Sequence, residues 1–179
     1  MSSKPTITLK WTPPRPLEEV VDDPDAVSSG VYYITRKYGS NVNLYYVGKS
    51  AGTGIKGRLK KHMGTTNTQK KGQNMASFAE IKKSMVGDLD LTDVIDDIET
   101  VLIYDSQPEY NLQKKNPPIK LKNSFILKNT KSKHSLMSAI IDSDKLRNES
   151  VSHPKTPVKM KRGKKDDGYV FSGVDYVFK

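Results

Sequence analysis

Cysteine is absent from the 179 residues. That excludes a disulfide framework and any cysteine-ligated zinc finger or ribbon. Histidine is almost as scarce, and His62, His134 and His153 lie too far apart in sequence to suggest a metal cluster. No apolar run approaches the length of a membrane span, mean hydropathy is −0.64, and the N-terminus lacks an apolar signal-peptide core. The expectation is an intracellular, cytoplasmic protein with no membrane partner. No internal repeat is evident.

Acid is the scarcer charge, and base the more abundant. Thirty Lys/Arg face 20 Asp/Glu, giving a net charge of +10 and a pI near 9.6. The excess is unevenly spread. Residues 1–29 carry 3 basic and 5 acidic side chains (net −2), residues 30–111 carry 11 and 9 (net +2), and residues 112–179 carry 16 and 6 (net +10). A basic segment of this kind suits an electrostatic grip on nucleic-acid phosphates. A lysine-rich tail kept for solubility is the alternative. The length suffices for one domain of ordinary size plus an extension.

Two short strings stand out, Gly30-Val31-Tyr32 and Tyr46-Val47-Gly48, with the tyrosines fourteen positions apart. Each lies in a β-branched and aromatic run, Gly30 to Thr35 and Leu44 to Val47. The polar turn residues Gly39, Ser40 and Asn41 lie between the runs. A hairpin folded about Gly39 would set Tyr32 opposite Tyr46, with Cβ atoms roughly 4.5–5.5 Å apart. Two phenols then share one face, either as a packed aromatic pair or as a reactive one. The flanking glycines favour close approach of another group. Tyr33 and Tyr45 are expected on the opposite face, in the core.

Beyond the polar Lys49-Ser50, the spacing predicts a helix from about Gly54 to Met63, with Ile55, Leu59 and Met63 as its buried stripe. Arg58 and His62 lie four apart on its shoulder. Arg58 is a candidate phosphate ligand through its planar fork, or a solvated helix arginine. His62 reads as a helix-end histidine near the site rather than a metal ligand. A second helix is predicted over about Thr92 to Tyr104. Val94, Ile95, Ile98, Val101, Leu102 and Ile103 cover one arc, and Asp93, Asp96, Asp97 and Thr100 the other. Glu99 falls inside the apolar arc. A core-facing carboxylate is costly unless it is paired or binds a metal; the alternative is an edge position reaching solvent or an arginine. Pro108 ends the helix. Asn111 follows in a turn that its side chain can tie down.

These residues, in this order, resemble the GIY-YIG nucleases over about Ser29 to Gln113, roughly half of the chain. Both tripeptides carry valine for isoleucine. The resemblance implies an α+β fold, a small antiparallel sheet of about three strands flanked by helices. It implies a site of Tyr32, Tyr46, Lys49, Arg58, His62, Glu99 and Asn111, with Glu99 as the metal ligand for one Mg²⁺ or Mn²⁺. It gives Tyr46 the part of general base and Tyr32 that of support for the nucleophile. Lys49 and Arg58 would favour an ionised phenol, and Arg58 would neutralise the scissile phosphate. The implied partner is DNA, with a homodimer on DNA where both strands are cut. The missing cysteines argue against the branch of the family that carries a zinc module. Gly52-Thr53-Gly54 reads as an insertion, and Gly64 to Asn74 as a loop.

The expected layout is an N-terminal arm (1–28), a catalytic domain (29–113) and a basic C-terminal extension (114–179). In the arm, Ile7 to Trp11 alternates like a strand, with Leu9 and Trp11 packed on the core. Leu17 to Val21 makes a helical turn. In the extension, 114–118 reads as a linker, Leu121 to Lys128 as a strand and Ser135 to Ile141 as a helix. Residues 150–165 read as flexible, and Tyr169 to Phe178 as a terminal hairpin. A site-selective DNA endonuclease is the leading reading. A structure-selective repair nuclease and a non-catalytic nucleic-acid-binding module are the alternatives.

Overall fold

A computed structural model describes residues 4–27, 29–65, 71–116 and 118–152. The chain begins with β1 (Thr6–Trp11), β2 (Arg15–Pro16), α1 (Leu17–Asp22) and a 3₁₀ turn (Pro24–Val27). The hairpin strands β3 (Gly30–Tyr38) and β4 (Asn41–Ser50) follow, then α2 (Gly54–Thr65) and β5 (Gln73–Glu80). The remainder is α3 (Lys83–Val86), α4 (Leu91–Ser106), β6 (Ile126–Lys131), β7 (Ile140–Asp142) and α5 (Ser143–Ser152). The architecture is α+β, with two sheets. One is antiparallel and four-stranded, in the order β2-β5-β3-β4; the other has the order β1-β6-β7, with β1 and β6 parallel.

Local chemistry explains the central hairpin. Gly39 turns the chain at φ +58, where a side chain would be strained. Gly30 has φ +156, and a Cβ there would run into the carbonyl oxygen of Ala79 on β5. The four-stranded sheet separates two hydrophobic clusters. Tyr32, Ile34, Ala76 and Phe78 pack with α1 and α2 through Leu17, Val20, Ile55 and Leu59. Val31, Tyr33, Val47 and Ala79 pack with α4 and the second sheet through Ile98, Leu102, Leu9 and Leu127. Each large aliphatic buried this way contributes about 1.5–3 kcal/mol of transfer free energy.

Several expectations are corrected. A third strand of the central sheet is Gln73–Glu80, overlapping the segment read as a loop. The second sheet was not foreseen. It joins the N-terminal arm to the C-terminal segment, with Ile7 beside Leu127 and Trp11 beside Lys131. Trp11 Nε1 donates to Asn129 Oδ1 at 3.1 Å. Sequence distance hid this pairing, because parallel neighbours carry no turn between them. The strand expected at Leu121 to Lys128 runs instead from Ile126 to Lys131. The helix expected over Ser135 to Ile141 is a turn leading into β7: Met137 and Ile141 are buried, while Leu136 and Ile140 are exposed. The helix of this region is α5, Ser143–Ser152. Met63 does not close the α2 stripe. It is exposed, and His62 is buried in its stead. Of the stretch read as flexible, residues 150–152 instead end α5, and residues 153–165, like the hairpin expected at Tyr169 to Phe178, lie outside the described residues.

Candidate functional site at the edge strand

Tyr32 and Tyr46 do share a face, but not as opposite partners. Tyr32 lies across from Gly48, and Tyr46 across from Ile34. The register slips between Ile34 and Thr35, so β4 carries one extra residue, Tyr45. The bulge also corrects the placement of Tyr45. Tyr33 packs on the α4 side as expected, whereas Tyr45 joins the cluster around Tyr32 and stacks on Tyr110 at 3.9 Å. The Tyr32 and Tyr46 ring centroids are 6.2 Å apart. Gly48 makes room for them. A Cβ there would stand 2.6 Å from Tyr32 Cζ and Oη and 2.7 Å from Tyr46 Cε1. The glycine of the second tripeptide is therefore a steric requirement of the phenol pair.

The helix α2 brings His62 against both rings. Its ring centroid is 5.7 Å from that of Tyr32 and 4.7 Å from that of Tyr46, and Nε2 lies 2.9 Å from Tyr32 Oη. Burial, and then the Arg58 charge one turn away, lower the His62 pKa to about 4. The imidazole is thus neutral at pH 7, with one N–H and one lone pair to share with the phenol. Arg58 Nε is buried and has no hydrogen-bond partner among the described residues. A desolvated guanidinium donor of this kind is matched by an anion.

A second cluster faces α4. Strand alternation sends Val47 and Lys49 to the side away from Tyr46 and Gly48. Lys49 Nζ bonds Asp96 Oδ1 at 2.6 Å. Glu99 is buried, 7% exposed, as its place in the apolar arc requires. Its partner is Lys114, whose Nζ lies 2.6 Å from Glu99 Oε2 and 2.9 Å from Asp96 Oδ1. Burial raises the Glu99 carboxyl, and the Lys114 charge opposes that rise. Burial acts against the Lys114 ammonium too, but Glu99 and Asp96 outweigh it and hold its pKa above the ordinary lysine value. Among the described residues no three His, Asp or Glu side chains converge as a metal cage. A hydrated Mg²⁺ needs only one or two carboxylates.

Asn111 joins neither cluster directly. Its side chain accepts from Val47 N–H at 2.9 Å and donates to Val47 C=O at 2.8 Å. Together with Glu109 N–H to Leu44 C=O and Tyr110 N–H to Tyr45 C=O, it covers the free edge of β4. It anchors the strand that carries both clusters. The structure thus gathers Tyr32, Tyr46, His62 and Arg58 on one face of β4, and Lys49, Asp96 and Glu99 on the other. Sequence reading missed Lys114, taken as linker, and Asp96, taken as solvent-facing. The i,i+3 spacing of Asp96 and Glu99 was the available signal for the latter. Lys114 had none. Asp97 and Thr100 are buried as well, against the expected solvent face; Asp97 accepts N–H bonds from Lys122 and Asn123.

No family model matches the chain, and neither a curated protein nor a solved structure is significantly similar to it. Among the described residues no helix is long and apolar enough to cross a membrane.

Proposed function

We propose that the chain is a GIY-YIG endonuclease that hydrolyses DNA phosphodiesters with a divalent metal at Glu99. The reading rests on one observation: two phenols and a neutral imidazole packed about a glycine, with a buried, unsatisfied arginine donor one turn of α2 before the imidazole. A sheet–helix contact needs no such set of titratable groups for packing alone. A buried imidazole with a lowered pKa against two phenols points to chemistry.

In this reading Arg58 receives the scissile phosphate through its unsatisfied edge. Its fixed charge also favours an ionised phenol at Tyr46, which takes the proton of the attacking water. Tyr32 orients that water, and neutral His62 shares a proton with Tyr32 Oη across 2.9 Å. Lys49, engaged with Asp96 on the other face, leaves the charge beside the phenols to Arg58. The Asp96–Glu99 pair already surrounds a cation, the Lys114 ammonium, so the donor set fits a hard divalent ion. A divalent ion would be held there by Glu99 with Asp96 and would supply charge neutralisation to a phosphate reaching the α4 side of β4.

Nicking of supercoiled plasmid with Mg²⁺ tests this. Tyr46→Phe is expected to cut about 10²–10⁴-fold more slowly, with DNA binding retained in a gel shift. Equal nicking by wild type and Glu99→Ala refutes the metal assignment. Preference for branched over linear duplex would mark a repair-type nuclease. A gel shift without cleavage in Mg²⁺ or Mn²⁺ would mark a binding module.

A further inference from the structure

Two carboxylates one helical turn apart on α4 converge on a single ammonium. Asp96 is half-exposed and Glu99 buried, so the pair runs from solvent into the interior. Lys114 arrives from the segment after Asn111, in a left-handed backbone conformation at φ 64. Asp96 also holds Lys49 at 2.6 Å. Glu99 would otherwise be a carboxylate shut away from water, and such a charge requires a counter-ion at all times.

We propose that Lys114 is the resident counter-ion of the metal site, its ammonium holding Asp96 and Glu99 until a divalent cation displaces it, with Asp96 as a second carboxylate for that cation. This rests on the metal assignment to Glu99 made above. Ammonium and metal contend for the Glu99 oxygens, where like charges at contact distance repel; Asp96 Oδ1 already takes two cations, Lys49 and Lys114. Lys114 can leave because its side chain is 28% exposed and belongs to no helix or strand. Its released charge is rehydrated, or turns to a nearby phosphate. Asp96 keeps Lys49 as a partner throughout. The protein without metal thereby avoids a bare buried acid, and the price is a weaker hold on the ion.

Mn²⁺ binding to the full chain, followed by the electron-spin resonance of free Mn²⁺ without DNA, decides the matter. Lys114→Met is expected to bind Mn²⁺ about tenfold more tightly than wild type. Lys114→Arg keeps a competing charge and shows no such gain. Asp96→Asn binds more weakly than wild type. Unchanged or weaker binding by Lys114→Met, with binding still lost in Glu99→Gln, overturns the exchange and leaves the metal assignment standing. Wild-type binding by Glu99→Gln overturns both. Should Lys114→Met unfold for want of a counter-ion, its thermal midpoint is read with added Mn²⁺. A larger rise than in wild type supports the exchange, and an equal or smaller one overturns it.

Discussion

A methyl group on Gly48 would stand 2.6 Å from the Tyr32 phenol and 2.7 Å from the Tyr46 ring. Neither ring can retreat freely, because His62 closes over both. Gly48→Ala is therefore expected to displace the phenols and cost about 1–3 kcal/mol by overpacking. Plasmid nicking should fall by far more than urea denaturation shows for the fold, and equal small losses in both would deny the glycine its part in the site. His62 has a pH signature. An unfolded histidine titrates near 6.5, whereas the folded one, facing Tyr32, Tyr46 and Arg58, titrates near 4. Between those values the unfolded chain binds a proton that the folded chain refuses, so stability falls as pH drops from 6.5 to 4. The full effect is about 3 kcal/mol. Urea midpoints across this window should show a steeper acid decline in wild type than in His62→Gln.

At the level of elements, the bulge on β4 and the turn after α4 decide what meets what. Continued without a slip, the register of Thr35 with Leu44 would set Tyr46 opposite Tyr33; the extra residue in β4 sets it opposite Ile34 instead, on the face of Tyr32. That leaves the place opposite Tyr32 to Gly48. The helix α4 is tied to the segment leading into β6 through Asp97, 2% exposed, which accepts from Lys122 N–H at 3.0 Å, Asn123 N–H at 2.8 Å and Asn123 Nδ2 at 2.9 Å. Asp97→Ala strands these donors and is expected to cost about 2–3 kcal/mol. Trp11, the one tryptophan, is buried in the core and reports the transition by fluorescence. Nicking per folded molecule should be preserved, because Asp97 touches none of the candidate site residues. The helix itself was plain in its apolar arc, and so was the buried place of Glu99. The same periodicity assigned Asp97 to solvent, because it cannot count a second layer packed on the helix's other side.

Over the whole molecule, charge and topology separate. Net charge rises from −2 over residues 1–29 to +10 over residues 112–179. If DNA is the partner, affinity measured by fluorescence anisotropy should fall linearly with log salt, with a slope of roughly −4 to −5 for about five phosphates neutralised. A slope near zero would remove the electrostatic case for a nucleic-acid partner. The basic segment is nonetheless no mere appendage. Phe125, Leu127 and Ile141 belong to the same core cluster as Val31 and Ile98, and β1 lies beside β6 in parallel. Pairing β1 with β6 closes a long loop before any contact is gained, which predicts slow folding relative to a helical protein of this size.

The sequence by itself determined the hairpin about Gly39, the helices carrying Arg58 and Glu99 and the inward turn of that acid. These follow from turn chemistry and from periods of two and 3.6 residues, which act over a few residues along the chain. Only the tertiary structure decided that Tyr32 faces Gly48, that His62 rather than Met63 is buried, that β1 pairs with β6 and that Lys114 meets Glu99. Each of these depends on a bulge, a packing layer or a partner distant in sequence, and local periodicity holds no information about which distant residue fills a given space.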